Sequence, residues 1–331
     1  MSNRFFLSLL LITVPLVLIG STPDKHIKSS AIEPITVELS MAPADFCQET
    51  INGVVVGLLA TETYVVAAMI NSPNSFFATN FHNTEKGYYF GPKGRGPQDF
   101  IKIDPKSLRL LGDDSFEVFD AGKMKKVILN TSGAVVESSP VSGKWLNLPL
   151  NGIQRFGDGF VDITMIATPD SEETEFTVFD DNGNITGYLG KYPTWASDES
   201  VSEALAYIKV FATSPDGQHL AAFYGHFYKA RFFKNGKKRY ETVELPYKSN
   251  APLDHVRKCF TGRPYVSDDG IVVLCHNGDK VELQKWTWDG KLVKVYALSQ
   301  PVSFFCFTPD GKSLIGYDAK ADKFYIASIP N

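Results

Sequence analysis

The sequence predicts an all-β fold, a six-bladed β-propeller of four-stranded antiparallel blades whose ring is closed by an N-terminal strand. Three observations carry this expectation. No helical periodicity runs through the 331 residues. Short apolar runs are separated instead by hairpin turns: SPDG (214–217), KNG (234–236), SDDG (267–270), WDG (288–290) and TPDG (308–311). In such turns glycine accepts positive φ, and Asp or Asn hydrogen-bonds its own backbone. The turns also come in pairs, Gly217 with Gly236 and Gly270 with Gly290, each pair bracketing two strands with one more outside each turn.

The elements follow in chain order. Arg4 precedes an apolar run from Phe5 to Ile19, broken only by Ser8, Thr13 and Pro15. That run is shorter than the roughly 20 residues of a bilayer-spanning helix and has the form of a secretory leader. Residues 1–21 are therefore expected to be a signal peptide or N-terminal anchor, 22–33 a linker, and 34–331 the propeller. A first, weaker four-strand unit reads as 54–59, 64–69, 76–81 and 87–91. Two more fit the template through 115–119, 125–129 and 134–137, and through 160–166, 175–179 and 184–189. The clearest are 211–214, 218–224, 229–233 and 237–243, then 264–267, 271–275, 281–287 and 292–297.

The first turns of the units fall near 62, 113, 158, 216, 269 and 310. A period of about 50 residues indicates a propeller or solenoid, and four strands per repeat select the propeller. The sixth unit has only three strands, 304–308, 313–318 and 323–329. Residues 34–39, with period-2 character, are expected to pair with 323–329 and so remove the bare edge.

Composition bounds the function. Aromatic residues make up 13% of the chain, which suits pleated surfaces. Lys and Arg total 33 against 37 Asp and Glu, a formal charge of −4. That balance argues against nucleic acid as a partner, because phosphate binding relies on concentrated positive charge. The four cysteines, Cys47, Cys259, Cys275 and Cys306, are widely spaced without a CxxC pair and read as free buried thiols.

The stretch FGPKGRGPQDF (90–100) raises the question of a phosphate loop. Gly91 and Gly96 have the spacing of a P-loop, but Pro97 stands where the lysine belongs and no Ser or Thr follows. Asp99 replaces the last glycine of a GxGxxG, and proline removes a backbone donor that a phosphate cradle needs. The stretch reads as a connection between blades. The six histidines, His26, His82, His219, His226, His255 and His276, form no HxH or HExxH motif. His226 and His276 both follow second strands, so they are expected at the same end of the ring. GxSxG is absent, and most aspartates are accounted for by turns.

The repeats SPDGQHLAAF and TPDGKSLIGY resemble those of TolB-like six-bladed β-propellers. GPKGRGPQDF is similar to the Gly-Arg/Lys-Gly-Pro-Gly-Glu-Phe signature of exported bacterial six-bladed propellers often carried as lipoproteins, with Gln98 and Asp99 in place of the family's Gly and Glu. Ser21 occupies the position of the lipid-bearing cysteine, and a serine hydroxyl cannot form the thioether. The resemblance implies export to the periplasm or cell envelope, a membrane contact only through the N-terminal segment, and no established catalytic residues.

Connections from the last strand of one blade to the first of the next, 91–106, 138–152, 190–208, 245–262 and 298–303, should share one end of the ring with the second-to-third strand turns. Binding residues concentrate on such loops, and exposed Trp, Tyr and Arg are common anchors. The expectation is a non-catalytic propeller without a cofactor, binding a peptide, glycan or partner protein through Lys93, Arg95, Gln98, Trp145, Tyr192, Trp195, His226, Arg263 and His276. Against it, Trp145 and Trp195 would simply fill gaps between blades; a short helix within 196–208, capped by Asp198 or Ser200, is expected to add to this face. The alternative is a hydrolase or lyase with a divalent cation in the central funnel, which requires Asp, Asn or Glu converging from several blades.

Overall fold

A computed structural model describes the backbone of residues 25–28 and, with side chains, most of 34–44, 51–82, 87–112, 114–140, 152–164, 174–196, 202–237, 240–247 and 259–330. Cys47, Trp145 and His255 lie outside the described residues.

Three N-terminal strands, β1 (Lys25–Lys28), β2 (Ile35–Leu39) and β3 (Ala42–Pro43), lead into the ring. Blade 1 is β4 (Val54–Ala60), β5 (Tyr64–Ile70), β6 (Asn74–Asn80) and β7 (Tyr88–Pro92). Blade 2 is β8 (Ile103–Leu110), β9 (Ser115–Asp120), β10 (Lys125–Asn130) and β11 (Val135–Pro140). Blade 3 is β12 (Gln154–Phe156), β13 (Gly159–Ile163), β14 (Thr174–Phe179) and β15 (Ile185–Lys191). A four-residue helix, α1 (Glu203–Ala206), precedes blade 4: β16 (Lys209–Thr213), β17 (His219–Tyr224), β18 (Lys229–Lys234) and β19 (Tyr240–Glu244). Blade 5 is β20 (Phe260–Ser267), β21 (Gly270–Asn277), β22 (Lys280–Trp286) and β23 (Leu292–Leu298). Blade 6 is β24 (Phe304–Phe307), β25 (Ser313–Asp318) and β26 (Lys323–Ser328), completed by β3.

The six-bladed fold expected from the turns is therefore the one observed, but its closure differs in register. Residues 34–39 do not pair with 323–329. Instead β2 runs parallel to β23, Ile35 beside Lys294 and Leu39 beside Leu298, as a fifth strand on blade 5. The sixth blade is closed by β3, through Ala42 beside Ile326 and Pro43 beside Tyr325. Within the expected linker, β1 lies parallel to β19 as a fifth strand on blade 4. The helix begins after Ser202, whose side chain makes no cap hydrogen bond, rather than after Asp198 or Ser200.

The turns explain why the repeat was legible. In SPDG the Ser214 hydroxyl bonds the Asp216 carboxylate, which accepts from Gln218 N at 2.9 Å, while His219 N donates to Ser214 Oγ at 2.9 Å. TPDG repeats this, with Thr308 Oγ1 to Asp310 at 2.7 Å, Lys312 N to Asp310 at 3.0 Å and Ser313 N to Thr308 Oγ1 at 3.0 Å. These bonds hold the Asp216 and Asp310 carboxyls below the usual carboxylate range.

The core lies between blades. Phe76, Phe90, Phe100 and Phe116 fill the seam of blades 1 and 2. Phe156, Phe176, Phe211 and Phe233 fill that of blades 3 and 4, and Phe223, Phe232, Phe260 and Trp286 that of blades 4 and 5. Tyr296, Phe305, Phe307 and Leu314 join blades 5 and 6, and Phe77, Tyr317 and Phe324 join blades 6 and 1. Among the described residues no such apolar cluster joins blades 2 and 3. Cys259, Cys275 and Cys306 are free and buried in these seams.

Candidate functional site

The antiparallel blades divide the ring's ends. Connections between blades and second-to-third strand turns share the loop end; first-to-second and third-to-fourth turns share the turn end. Most of the predicted site residues lie at the loop end, in three separate places.

The GPKGRGPQDF segment is a structural clasp. Gly96 N donates to Asp99 Oδ2 at 2.8 Å, and a Cβ on Gly94 or Gly96 would lie 2.3 or 2.7 Å from that oxygen, so a side chain at either position would displace the Asp99 carboxylate from the clasp. Lys123 Nζ donates to the carbonyls of Gly96 and Asp99. Buried Asp120 accepts from Ile101 N and Lys102 N, each at 3.0 Å, and Phe100 plugs the seam against Phe76. The carbonyls and the Asp99 carboxylate converge where a phosphate would need donors. Lys93, Arg95 and Gln98 remain exposed on the outside of this loop.

Tyr192 and Trp195 come together over blades 3 and 4, where they roof a buried ion cluster. Glu175 Oε1 accepts from Lys209 Nζ at 2.8 Å and from the Tyr224 hydroxyl at 2.6 Å, while Oε2 accepts from Arg231 Nη1 at 2.8 Å. The side chains of all three ion partners are at most 1% exposed. Trp195 packs edge-on against Tyr207, Tyr224 and Phe227 and takes Lys229 and Arg231 over its ring, at 4.7 and 4.9 Å. Tyr192 stacks on Tyr207 and covers Lys209 at 5.1 Å. Burial lowers the Lys209 pKa against the pull of Glu175, and it pushes the Tyr192 phenol up to about 12. Trp195 thus fills a gap between blades. Nothing local in the sequence signals the ions beneath it, because Glu175, Lys209 and Arg231 each read as an ordinary strand charge.

His226 and His276 both lie at the loop end, half-buried. His276 Nε2 is 2.8 Å from Thr261 Oγ1, its carbonyl accepts from the Tyr228 hydroxyl at 2.7 Å, and burial lowers its pKa. Among the described residues no three His, Cys, Asp or Glu side chains group as metal ligands would.

Arg263 is elsewhere. It projects from β20 into the central funnel, a cavity of about 730 Å³ lined by the first strands of all six blades and extending along the seam between blades 2 and 3. Besides Arg263 the wall carries Lys106 and Arg109 from β8, Lys126 from β10 and Arg155 from β12. Its carboxylates are Glu117, 3.2 Å from Lys126, and Asp181, 3.5 Å from Arg155. Burial pushes the Arg263 pKa down to about 10, with Asp104 opposing, so the guanidinium remains charged at neutral pH. The Asp104 carboxyl is pushed up by its own burial, and its Oδ2 is buried without a hydrogen bond. Among the described residues the charged lining is five cations and two carboxylates, each carboxylate beside a cation, and not the set of converging carboxylates that a divalent cation requires.

No family model and no curated protein matches the chain. Among solved structures it is similar to a protein of Bacteroides fragilis assigned as exported, at 10% identity and a TM-score of 0.53, over 90% of this chain and 100% of that one. It is also similar to a member of the DUF4221 family from Bacteroides vulgatus, at 9% identity and a TM-score of 0.51, over 89% of this chain and 97% of that one. At these identities the likeness is one of fold, and it runs the length of the ring.

Proposed function

We propose that the protein is an exported, non-catalytic propeller of the TolB-like kind that holds a ligand in its funnel. The observation that carries this is the cavity itself. At about 730 Å³ it falls within the roughly 300–1,000 Å³ typical of ligand sites. Its wall is built mostly on strands, which fixes those side chains before a ligand arrives. Export is supported by the leader-like first 21 residues and by the B. fragilis neighbour, itself assigned as exported. The exposed Lys93, Arg95 and Gln98 offer a second surface, at the loop end, for a peptide, glycan or protein partner.

Ser139 lines the seam side of the cavity. Tagged wild-type protein and Ser139→Trp are incubated with extracts of the cell envelope and compared by native mass spectrometry. A ligand retained by the wild type and lost from the variant is the expected result. Equal retention by both moves binding away from the funnel, and recovery of the chain in the cytosol with its first residues intact overturns export.

A further inference from the structure

We infer that the funnel takes an amphiphilic organic anion, a carboxylate or sulfate carried on an apolar body. This deepens the reading of the funnel as a ligand site and rests on it.

Charge is the first argument. The chain as a whole carries −4, yet the funnel concentrates Lys106, Arg109, Lys126, Arg155 and Arg263 against two lining carboxylates. Lys126 and Arg155 lie 3.2 and 3.5 Å from those carboxylates, and Asp104 on β8 acts on both Lys106 and Arg263, so with Asp104 counted three carboxylates face five cations and a positive excess remains. Low-dielectric walls of one sign focus the field on a ligand of the opposite sign. Arg109 is exposed, whereas Arg263 is half-buried and desolvated. A desolvated guanidinium is a geometric and electrostatic match for a two- or three-oxygen anion.

The rest of the wall supplies the apolar half. Leu58, Leu110, Phe160, Phe305 and Phe307 face the same cavity. Several of its neutral polar groups are already engaged within the fold. Gln154 donates to Phe211 O at 3.1 Å and accepts from Thr213 N at 2.9 Å. Ser107 Oγ donates to Asp104 O at 2.7 Å and accepts from Phe119 N at 2.8 Å, and Ser214 is bonded within its own turn. A sugar, whose many hydroxyls each need a partner, would find few here. A ligand with one anionic head and an apolar body uses what the wall offers.

Isothermal titration with decanoate, decylammonium and gluconate separates the terms, since the three share either the chain or the charge. Decanoate should bind at least tenfold more tightly than either of the others, and its affinity should fall as sodium chloride rises. Arg263→Gln and Arg109→Gln, both checked by circular dichroism, should each weaken decanoate several-fold, while exposed Lys237→Gln should not. Equal binding of decylammonium overturns the charge argument, equal binding of gluconate overturns the amphiphilic one, and no binding of decanoate overturns both. If decanoate fails while Ser139→Trp still abolishes retention of an envelope ligand, the funnel reading stands and the anion inference alone falls.

Discussion

Glu175 is the residue on which the seam of blades 3 and 4 turns. Its carboxylate holds both Lys209 and Arg231, and the side chains of all three are at most 1% exposed. Removing one partner of a buried ion pair costs far more than the pair contributes, because the other charge is left desolvated. Glu175→Gln is nearly isosteric and should destabilise the fold by about 3–5 kcal/mol in urea titration. A loss under about 1 kcal/mol would mean that the site is hydrated. The buried acids set an alkaline limit in a different way. The Cys259 and Cys306 thiols, ordinarily near 9.0, are pushed up to about 11 and about 12, and the Tyr192 phenol, ordinarily near 10.0, to about 12. Above pH 9 the unfolded chain therefore gives up protons that the folded chain keeps, and linkage makes stability fall with rising pH. The urea midpoint should be level up to about pH 9 and decline from there towards pH 12, with a shallower decline in Cys306→Ala.

At the scale of elements, the N-terminal arm divides into a part that packs and a part that decorates. Leu39 and Met41 are 2% and 4% exposed within the seam of blades 5 and 6, whereas Ile35, four residues earlier on the same strand, is 65% exposed. Leu39→Ala should cost about 2–5 kcal/mol, and Ile35→Ala no more than about 0.5 kcal/mol, by denaturant titration of the two variants. Comparable losses at both positions would mean that β2 docks differently on β23. The same arm marks the limit of what could be read from sequence. SPDG and TPDG were legible because their bonds close within four to six residues, and the strands between them inherit their order. The docking of 34–39 was not, because alternating Ile35, Val37 and Leu39 would suit the free edge of any blade. The strand that closes the ring, Ala42–Pro43, is too short to show a period. The funnel cations were missed for a related reason. Lys106, Arg109 and Arg155 lie on inner strands of two blades and Arg263 on a third, and nothing local to any of them records that they share a cavity.

For the molecule as a whole, the uneven seams matter more than any one blade. Five boundaries carry aromatic and aliphatic clusters, and the sixth, between blades 2 and 3, carries the charged extension of the funnel among its described residues. The blades facing it supply Glu117 and Lys126 on one side, Arg155 and the turn residue Asp181 on the other. Exposed pairs of this kind contribute little, typically under about 1 kcal/mol each, whereas each buried phenylalanine elsewhere in the ring contributes roughly 1.5–3 kcal/mol. A closed ring constrains all its seams at once, so local opening concentrates at the weakest. Amide hydrogen exchange under native conditions should therefore find β11 and β12 less protected than the corresponding outer strand β23 and inner strand β20 of blade 5, where Trp286 and Phe260 seal the boundary. A ligand bridging the cations of blades 2, 3 and 5 would bind the closed seam and not the open one, so saturating ligand should raise protection at β11 and β12 while leaving β20 and β23 unchanged. Uniform protection around the ring without ligand would show that the charged seam is as tightly shut as the aromatic ones, and would leave a ligand no opening at the seam through which to enter.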